Sequence, residues 1–319
     1  MNWKLKARLQ NAIAALPEAV SYPLYYRVQR HAGGLRRINP TSRLEAGIET
    51  WRRLQQAGAD PVGKTIMEIG TGRMVTIPLA YWLMGAERTY TFDLNPYLRP
   101  ELIHESVTYI VDHREEVADR FGELLDRDRF EKLIDFARPE SFDCTELLRV
   151  AGIEYRAPAD AAETGLPAQS IDFHTSFTVM EHIPPAVLQA ILVEGDRLLR
   201  PGGLAIHGID YSDHFAHSDT SITRVNFLQY SPGEWERWSG NRYMYMNRLR
   251  HDDYLATFAA SGLATVADEA TIDEPSLQAL EAGKVKPHPD FASRAPSELA
   301  IVSSWIVAQP SEQVETAGV

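Results

Sequence analysis

The chain has 319 residues, 44% of them hydrophobic and 24% charged, with a formal net charge of −12, a composition that suits one large core or two small ones. Its longest nearly apolar run, Val75 to Ala86, contains a proline and falls well short of the ~20 residues needed to span a bilayer, while Pro17 and Glu18 interrupt the basic start before a signal-peptide apolar region is complete. The acidic balance excludes wholesale nucleic-acid binding, which needs a clustered cationic surface, and a single cysteine, Cys144, excludes an internal disulfide or thiolate metal cluster and fits a cytoplasmic protein.

Residues 1–60 read as an N-terminal helical extension, with breaks near Pro23, Gly33 with Gly34, and Pro40, and with Thr41 or Ser42 as the cap of a helix through Trp51 to Gln56. Residues 1–53 hold ten Lys and Arg against Glu18, Glu45 and Glu49, a balance of +7 that leaves −19 for the rest. Lys4, Lys6 and Arg8 interleave with Trp3, Leu5, Leu9, Ile13 and Leu16. That amphipathic pattern suits an anionic membrane surface, a polyanionic substrate or the chain's own domain.

A strand over Thr65 to Ile69 then ends in Gly70-Thr71-Gly72, a helix follows over Met74 to Met84, and a second strand covers Thr89 to Leu94. This unit opens a parallel sheet. Residues 101–150 are charged and helical in pattern, and the long stretch from about Arg99 to Val150 is expected to be a helical cap inserted in the fold. Further strands are expected at Ile153 to Arg156, Ile171 to Phe177, Leu204 to Ile209, Ala264 to Asp268 and Ala300 to Ala308. A helix from Ala186 to Leu199 lies among them, Pro201-Gly202-Gly203 is a turn, Asp252 or Asp253 caps a helix through Ala260, and Gly262 closes it. The whole is an α/β, Rossmann-like domain over 61–308, followed by a polar tail, 309–319, expected to be disordered.

The turn after the first strand brings backbone amides and a helix N-terminus to a ligand with no Cβ in the way. Asp93 stands 21 residues after Gly72, where a carboxylate can accept both hydroxyls of a ribose. These features alone allow either a nicotinamide dinucleotide or another adenosyl cofactor.

Taken with Asp160-Ala161, Ser170-Ile171-Asp172-Phe173, Ser176-Phe177-Thr178, Val179-Met180-Glu181-His182-Ile183 and Leu198-Leu199-Arg200-Pro201-Gly202-Gly203, the ordered set resembles the class I S-adenosylmethionine-dependent methyltransferases of the small-molecule type. The resemblance covers Lys64 to Ile209 and extends more weakly to about Ala308. It implies a seven-stranded sheet with the last strand antiparallel, and S-adenosyl-L-methionine as cofactor. It further implies that Glu68, Gly70 and Gly72 lie by the amino acid part of the donor and that Asp93, with Leu94, meets the ribose. Asp160 and Ala161 would then lie by the adenine, with Ser176 and Phe177 lining the site. Met74 stands where the family often has a further glycine.

For transfer to a hydroxyl, a base helps by roughly 10^2 to 10^4. His207, Asp210, Asp213, His214, His217 and Asp219 cluster after the fifth strand, and His214, Asp210 and His217 are the favoured catalytic residues. His207 ranks below His214. A divalent ion held by Asp210, Asp213, His214 and His217 is an alternative to a base, although their spacing matches no metal motif. Phe227 to Tyr245, with Tyr230, Trp235, Trp238, Tyr243 and Tyr245 among Arg237, Asn241 and Arg242, suits a saccharide, a stacked base or an acidic group, and equally well packing against the cap or a second subunit. Glu181 and His182 read as polar contacts of a helix start.

The sequence therefore favours methyl transfer to a hydroxyl of a sugar or other polar small molecule, within a polysaccharide, glycolipid or secondary metabolite. Transfer to nitrogen or carbon of a small, prenyl or phosphate-bearing acceptor is the alternative. A catalytically idle cofactor-binding protein is another. A nicotinamide-dependent oxidoreductase shares the glycine turn and Asp93 but accounts for neither Asp160-Ala161 nor Leu199 to Gly203.

Overall fold

The computed structural model describes residues 1–137 and 142–311. In chain order its elements begin with α1 (Trp3–Ala14), α2 (Glu18–Ala32), α3 (Thr41–Gln56), β1 (Thr65–Ile69), α4 (Thr76–Leu83) and β2 (Arg88–Phe92). Four helices follow, α5 (Pro100–Asp112), α6 (Arg114–Phe121), α7 (Arg127–Asp135) and α8 (Cys144–Val150). The second half holds β3 (Ile153–Arg156), β4 (Ile171–Phe177), α9 (Pro185–Leu198), β5 (Leu199–Asp210), α10 (Pro232–Ser239), α11 (His251–Ala260), β6 (Leu263–Ile272), α12 (Glu274–Glu281), α13 (Pro296–Leu299) and β7 (Ile301–Pro310).

The strands form one seven-stranded sheet in the order β3-β2-β1-β4-β5-β7-β6, parallel except for β7, which runs antiparallel to both neighbours. Side chains alternate across it. Ile66, Leu204 and Ile206 join a core built with α3 to α8, whereas Met67, Ile69, Ala205 and Ile209 join a second core under α9 and α11. The inserted helices α5 to α8 thus bury their stripes, Ile103, Val107, Val117, Phe121, Leu133 and Leu147, in the first core. Strand order reverses direction between β1 and β4, where open α/β sheets leave a crevice at the carboxyl ends of their strands.

Several expected boundaries shift for identifiable reasons. Pro23 lies inside α2 and does not end it, because it faces solvent, where the carbonyl it leaves without a donor stays hydrated. Thr41 is the first helical residue of α3, and Asn39 Oδ1 accepts from its amide at 2.9 Å. Asp253 Oδ2 accepts from the Arg250 amide at 2.8 Å, so Arg250 takes the cap position of α11 with Asp252 and Asp253 in the first turn. Pro201-Gly202-Gly203 is an irregularity inside β5: the pairing with β4 shifts between Ile171 opposite Leu199 and Phe173 opposite Leu204. Gln309 and Pro310 pair with Ala264 and Leu263, so β7 reaches into the stretch expected as a tail. Residues 312–319 of that tail lie outside the described residues.

Candidate functional site

A cleft of about 660 Å³, open mouth included, lies at the reversal point, lined by Leu35, Arg43, Glu68, Gly70 to Met74, Thr76, Ile77, Thr178 and Val179. Gly70 and Gly72 hold φ of 75° and 73°, a region costly to any side chain. A Cβ on Gly70 would come within 2.7 Å of the Val179 methyls, whereas at Gly72 it would meet open space, so there the conformation alone requires glycine. The Gly72 amide donates to Asp93 Oδ2 at 2.9 Å, which ties the turn to the end of β2. Glu68 is buried beneath and accepts from the hydroxyls of Thr71 and Thr91. Burial pushes its carboxyl up to about 7 against those bonds, and burial does the same to Asp93, up to about 7.

The other residues expected around a donor fall in distinct places. Asp160 is exposed and accepts from the Ala162 amide at 2.8 Å, while Ala161 is buried in the second core. Their segment stands beside Asp93, since the Ala159 amide donates to the Asp93 carbonyl at 3.0 Å. Leu94 is largely exposed. Ser176 turns its hydroxyl to His207 Nδ1 at 2.8 Å, and the Phe177 ring stacks on Trp305. Their successors, Thr178 and Val179, line the cleft.

Thr178 also lines a neighbouring groove with Asp210, and the residues that carry protons gather there. His214 Nε2 lies 3.5 Å from Asp210 Oδ2, and His217 Nε2 lies 3.7 Å from the same oxygen. Burial opposes the charge on both partners. Each nevertheless favours the other's charged form, so Asp210 falls to about 2 and His214 rises above the ordinary imidazole value. His217 is held lower by partial burial and by His214. Asp213 is spent on structure, accepting from the Phe215 amide and the Asn226 side chain. Asp219 accepts from the Trp3 amide at 2.8 Å, and His207 is fully buried between His174 and Phe258.

Sequence reasoning passed over Glu181. Its carboxylate is 2% exposed, neither oxygen has a hydrogen-bond partner, and burial pushes it up to about 8. Oε1 lies 4.0 Å from the Nε2 atoms of both His182 and His214. His182 Nδ1 donates to the Tyr245 carbonyl at 2.7 Å, which leaves Nε2 as a lone pair facing the carboxylate. Among the described residues, Glu181, His182 and His214 are the set whose donor atoms, all within 4.8 Å, fit a divalent ion. The available signal was position, since the pair directly follows β4 at the crevice.

The N-terminal helices close the far side. Trp3, Ala7 and Gln10 of α1 are buried, with Trp3 packed against Phe215, Tyr230, Trp235 and Trp238. Of the two expectations for the aromatic segment, a ligand face or a packing surface, Tyr230, Trp235 and Trp238 serve packing, and their partner is α1 rather than the cap. Tyr243 stacks on Tyr25 of α2 at 3.9 Å. Arg43 of α3 reaches the end of β4, donating to the Phe177 carbonyl and the Thr178 hydroxyl.

Residues 111–207 match the family model described as a methyltransferase domain. No curated protein sequence matches the chain. Among solved structures it is similar to a SAM-dependent methyltransferase from Methanosarcina mazei, at 14% identity, covering 81% of this chain and 96% of that one with a TM-score of 0.44. It is also similar to an S-adenosylmethionine-dependent methyltransferase from Mesorhizobium loti, at 16% identity over 83% and 99% with a TM-score of 0.41. A third is the 1,6-didemethyltoxoflavin-N1-methyltransferase of Burkholderia thailandensis with bound S-adenosylhomocysteine, at 13% over 84% and 79% with a TM-score of 0.41. Residues 111–207 of this chain thus match a methyltransferase domain, within a seven-stranded sheet whose glycine turn, at the end of β1, is tied to Asp93.

Proposed function

We propose that the chain methylates a hydroxyl of a saccharide or similar polar small molecule. The bound donor supplies an electrophilic methyl group on a sulfonium. The observation that carries the reading is the Asp210–His214 pair at the end of β5, 3.5 Å apart, with His214 15% exposed and oriented by a carboxylate. A hydroxyl needs to lose its proton as the new C–O bond forms, and His214 takes that proton at Nδ1 while Asp210, facing Nε2, stabilises the imidazolium. His217, its ring stacked on that of His214, approaches the same carboxylate oxygen. On the donor side, Glu68, Gly70 and Gly72 support the amino acid part, Asp93 with Leu94 the ribose, and Asp160 with Ala161 the adenine. Ser176 and Phe177 act from behind, by holding the end of β4. The lone Cys144, half-buried, suits a reducing cytoplasm.

Incubating the purified protein with S-adenosylmethionine and a panel of saccharides, and locating the methyl group by NMR, tests the reading. Methyl on oxygen supports it; methyl on nitrogen or carbon alone overturns it. A chelator arm separates the base from an ion held by Glu181, His182 and His214, since only the ion-dependent reaction stops.

The outer faces of α1 and α2 favour a lipid-borne form of that acceptor. Leu5 and Leu9 on α1, and Val20, Leu24 and Val28 on α2, are exposed at helical spacing, alongside the exposed cations Lys4, Arg8 and Arg27. Such a face fits an anionic bilayer surface. No helix among the described residues is long and apolar enough to cross a membrane. In flotation assays the protein is expected to rise with vesicles containing phosphatidylglycerol and not with neutral ones, and Leu24→Glu is expected to abolish this without changing the melting temperature. Equal recovery of the variant would sink the idea.

A further inference from the structure

An arginine that lines the cleft and its close neighbour make no ion pair among the described residues. Arg73 lines the cleft next to Gly72, and the Arg99 amide donates to the Arg73 carbonyl at 3.1 Å. Both side chains lie over the ring of Tyr26, each 5.2 Å from its centroid, and Arg73 lies 5.7 Å from that of Tyr97. Stacking of this kind fixes the plane of a guanidinium and leaves its donors free. Of the nearby arginines, Arg30 holds Glu105, Arg242 holds Glu18, and Arg43 spends donors on the Phe177 carbonyl and the Thr178 hydroxyl. Glu101, the acid on this rim, accepts from the Tyr26 hydroxyl at 2.7 Å, and against burial that bond, with the charges of Arg99 and Arg30, holds its carboxyl below the usual range. Among the described residues neither Arg73 nor Arg99 forms an ion pair, and the buried Arg99 Nε has no hydrogen-bond partner. Burial and the charge of Arg99 both act against the charged form of Arg73.

Holding two like charges together, half-buried, in a chain of net charge −12 is costly unless a ligand brings the compensating anion. The methyl donor brings one carboxylate, but with a sulfonium and an ammonium beside it the donor is a net cation and leaves a second guanidinium unanswered. The acceptor must therefore carry negative charge. Two planar forks match the oxygens of a phosphoryl group better than any neutral sugar. Arg36 and Arg37, exposed on either side of the same loop as the cleft-lining Leu35, add to the attracting field.

We infer that Arg73 and Arg99 form the subsite for a phosphoryl group of the acceptor, so that the molecule methylated is a phosphorylated or diphosphate-linked saccharide. This rests on the hydroxyl-methylation reading and narrows its substrate. It also places the reaction after one that attaches phosphate to the sugar.

The test is calorimetric titration of inorganic pyrophosphate into the full-length protein saturated with S-adenosylhomocysteine. Saturable binding is expected, weakened about tenfold or more by Arg99→Ala and by Arg73→Ala, the loss of one charge-assisted pair. Arg99→Lys, which keeps the charge and loses the fork, is expected to fall between. Arg88→Ala, at the opposite end of β2, should leave binding unchanged. Each variant's affinity for S-adenosylhomocysteine serves as its folding control. Absence of saturable binding, or equal weakening by Arg88→Ala, overturns the inference. So does a result in which Arg99→Ala erases the preference for S-adenosylhomocysteine over 5′-methylthioadenosine, for then the arginines hold the donor's carboxylate. In all three cases S-adenosylhomocysteine still binds the native protein and the hydroxyl reading stands, to be judged by its own product analysis.

Discussion

His214→Ala is expected to lower kcat by roughly 10^2 to 10^4, the span of a lost general base, while leaving the affinity for S-adenosylhomocysteine unchanged. The split matters because alignment alone contributes a large share of any displacement at a methyl group. A variant that still turns over at the native rate would show that positioning suffices and that the imidazole only lines the site. The pH dependence gives a second readout. His214 must be neutral to accept a proton, and Asp210 holds its pKa above the ordinary 6.5. The native rate is therefore expected to rise with pH, with a midpoint above that value. In Asp210→Asn the charge that stabilises the imidazolium is gone, so the midpoint moves down, the plateau falls, and activity at low pH suffers less than at high pH. A midpoint unmoved by Asp210→Asn would place the titrating group elsewhere, with Glu181, 4.0 Å from His214, the next to test.

The parts of this fold legible in the sequence are those whose physics is local. β1, β3 and β4 were bounded to the residue, because short apolar runs ending at glycine or charge have few alternatives. The glycine turn was legible for the same reason: two glycines with positive φ and an acid at the end of the next strand are all set by neighbours in the chain. β5 was cut short at Leu204, since Pro201-Gly202-Gly203 reads as a turn and only the pairing with β4 shows the strand resuming on its far side. β6 extends to Ile272 along the sheet edge, where nearly every side chain after Leu263 is partly or fully exposed and no burial alternation marks it.

Other features are defined by what lies far away in the chain. Trp235 and Trp238 have ligand-like chemistry, but their partner is Trp3, more than two hundred positions earlier, and the structure uses them as a seat for α1. Glu181 and Arg99 are conspicuous because buried polar atoms of theirs lack partners, and Arg73 because burial and the charge of Arg99 both act against its own charge. That is a tertiary property, and no spacing rule reports it.

Asp93→Ala is expected to weaken S-adenosylhomocysteine binding by about 3 kcal/mol, roughly 100-fold, if its carboxylate accepts both ribose hydroxyls in charge-assisted bonds. The same carboxylate already receives the Gly72 amide at 2.9 Å, so the variant also slackens the glycine turn, and Asp93→Asn, which preserves size and one acceptor, separates the two effects. Burial sets Asp93 to about 7 in the free protein. A ribose binds the ionised form, because a protonated carboxyl has lost acceptor capacity. Native affinity should therefore increase from pH 6 to pH 8, with protons released at the lower end and detectable as a buffer-dependent enthalpy. Asp93→Asn should bind weakly and lose that dependence. Glu68 titrates in the same range, also through burial, but its Oε2 is engaged by both Thr71 and Thr91, so Glu68→Gln should retain most of the pH dependence. If instead Glu68→Gln flattens the curve and Asp93→Asn does not, the acid that meets the donor lies at the end of β1, and the ribose sits one strand nearer the middle of the sheet than the resemblance implies.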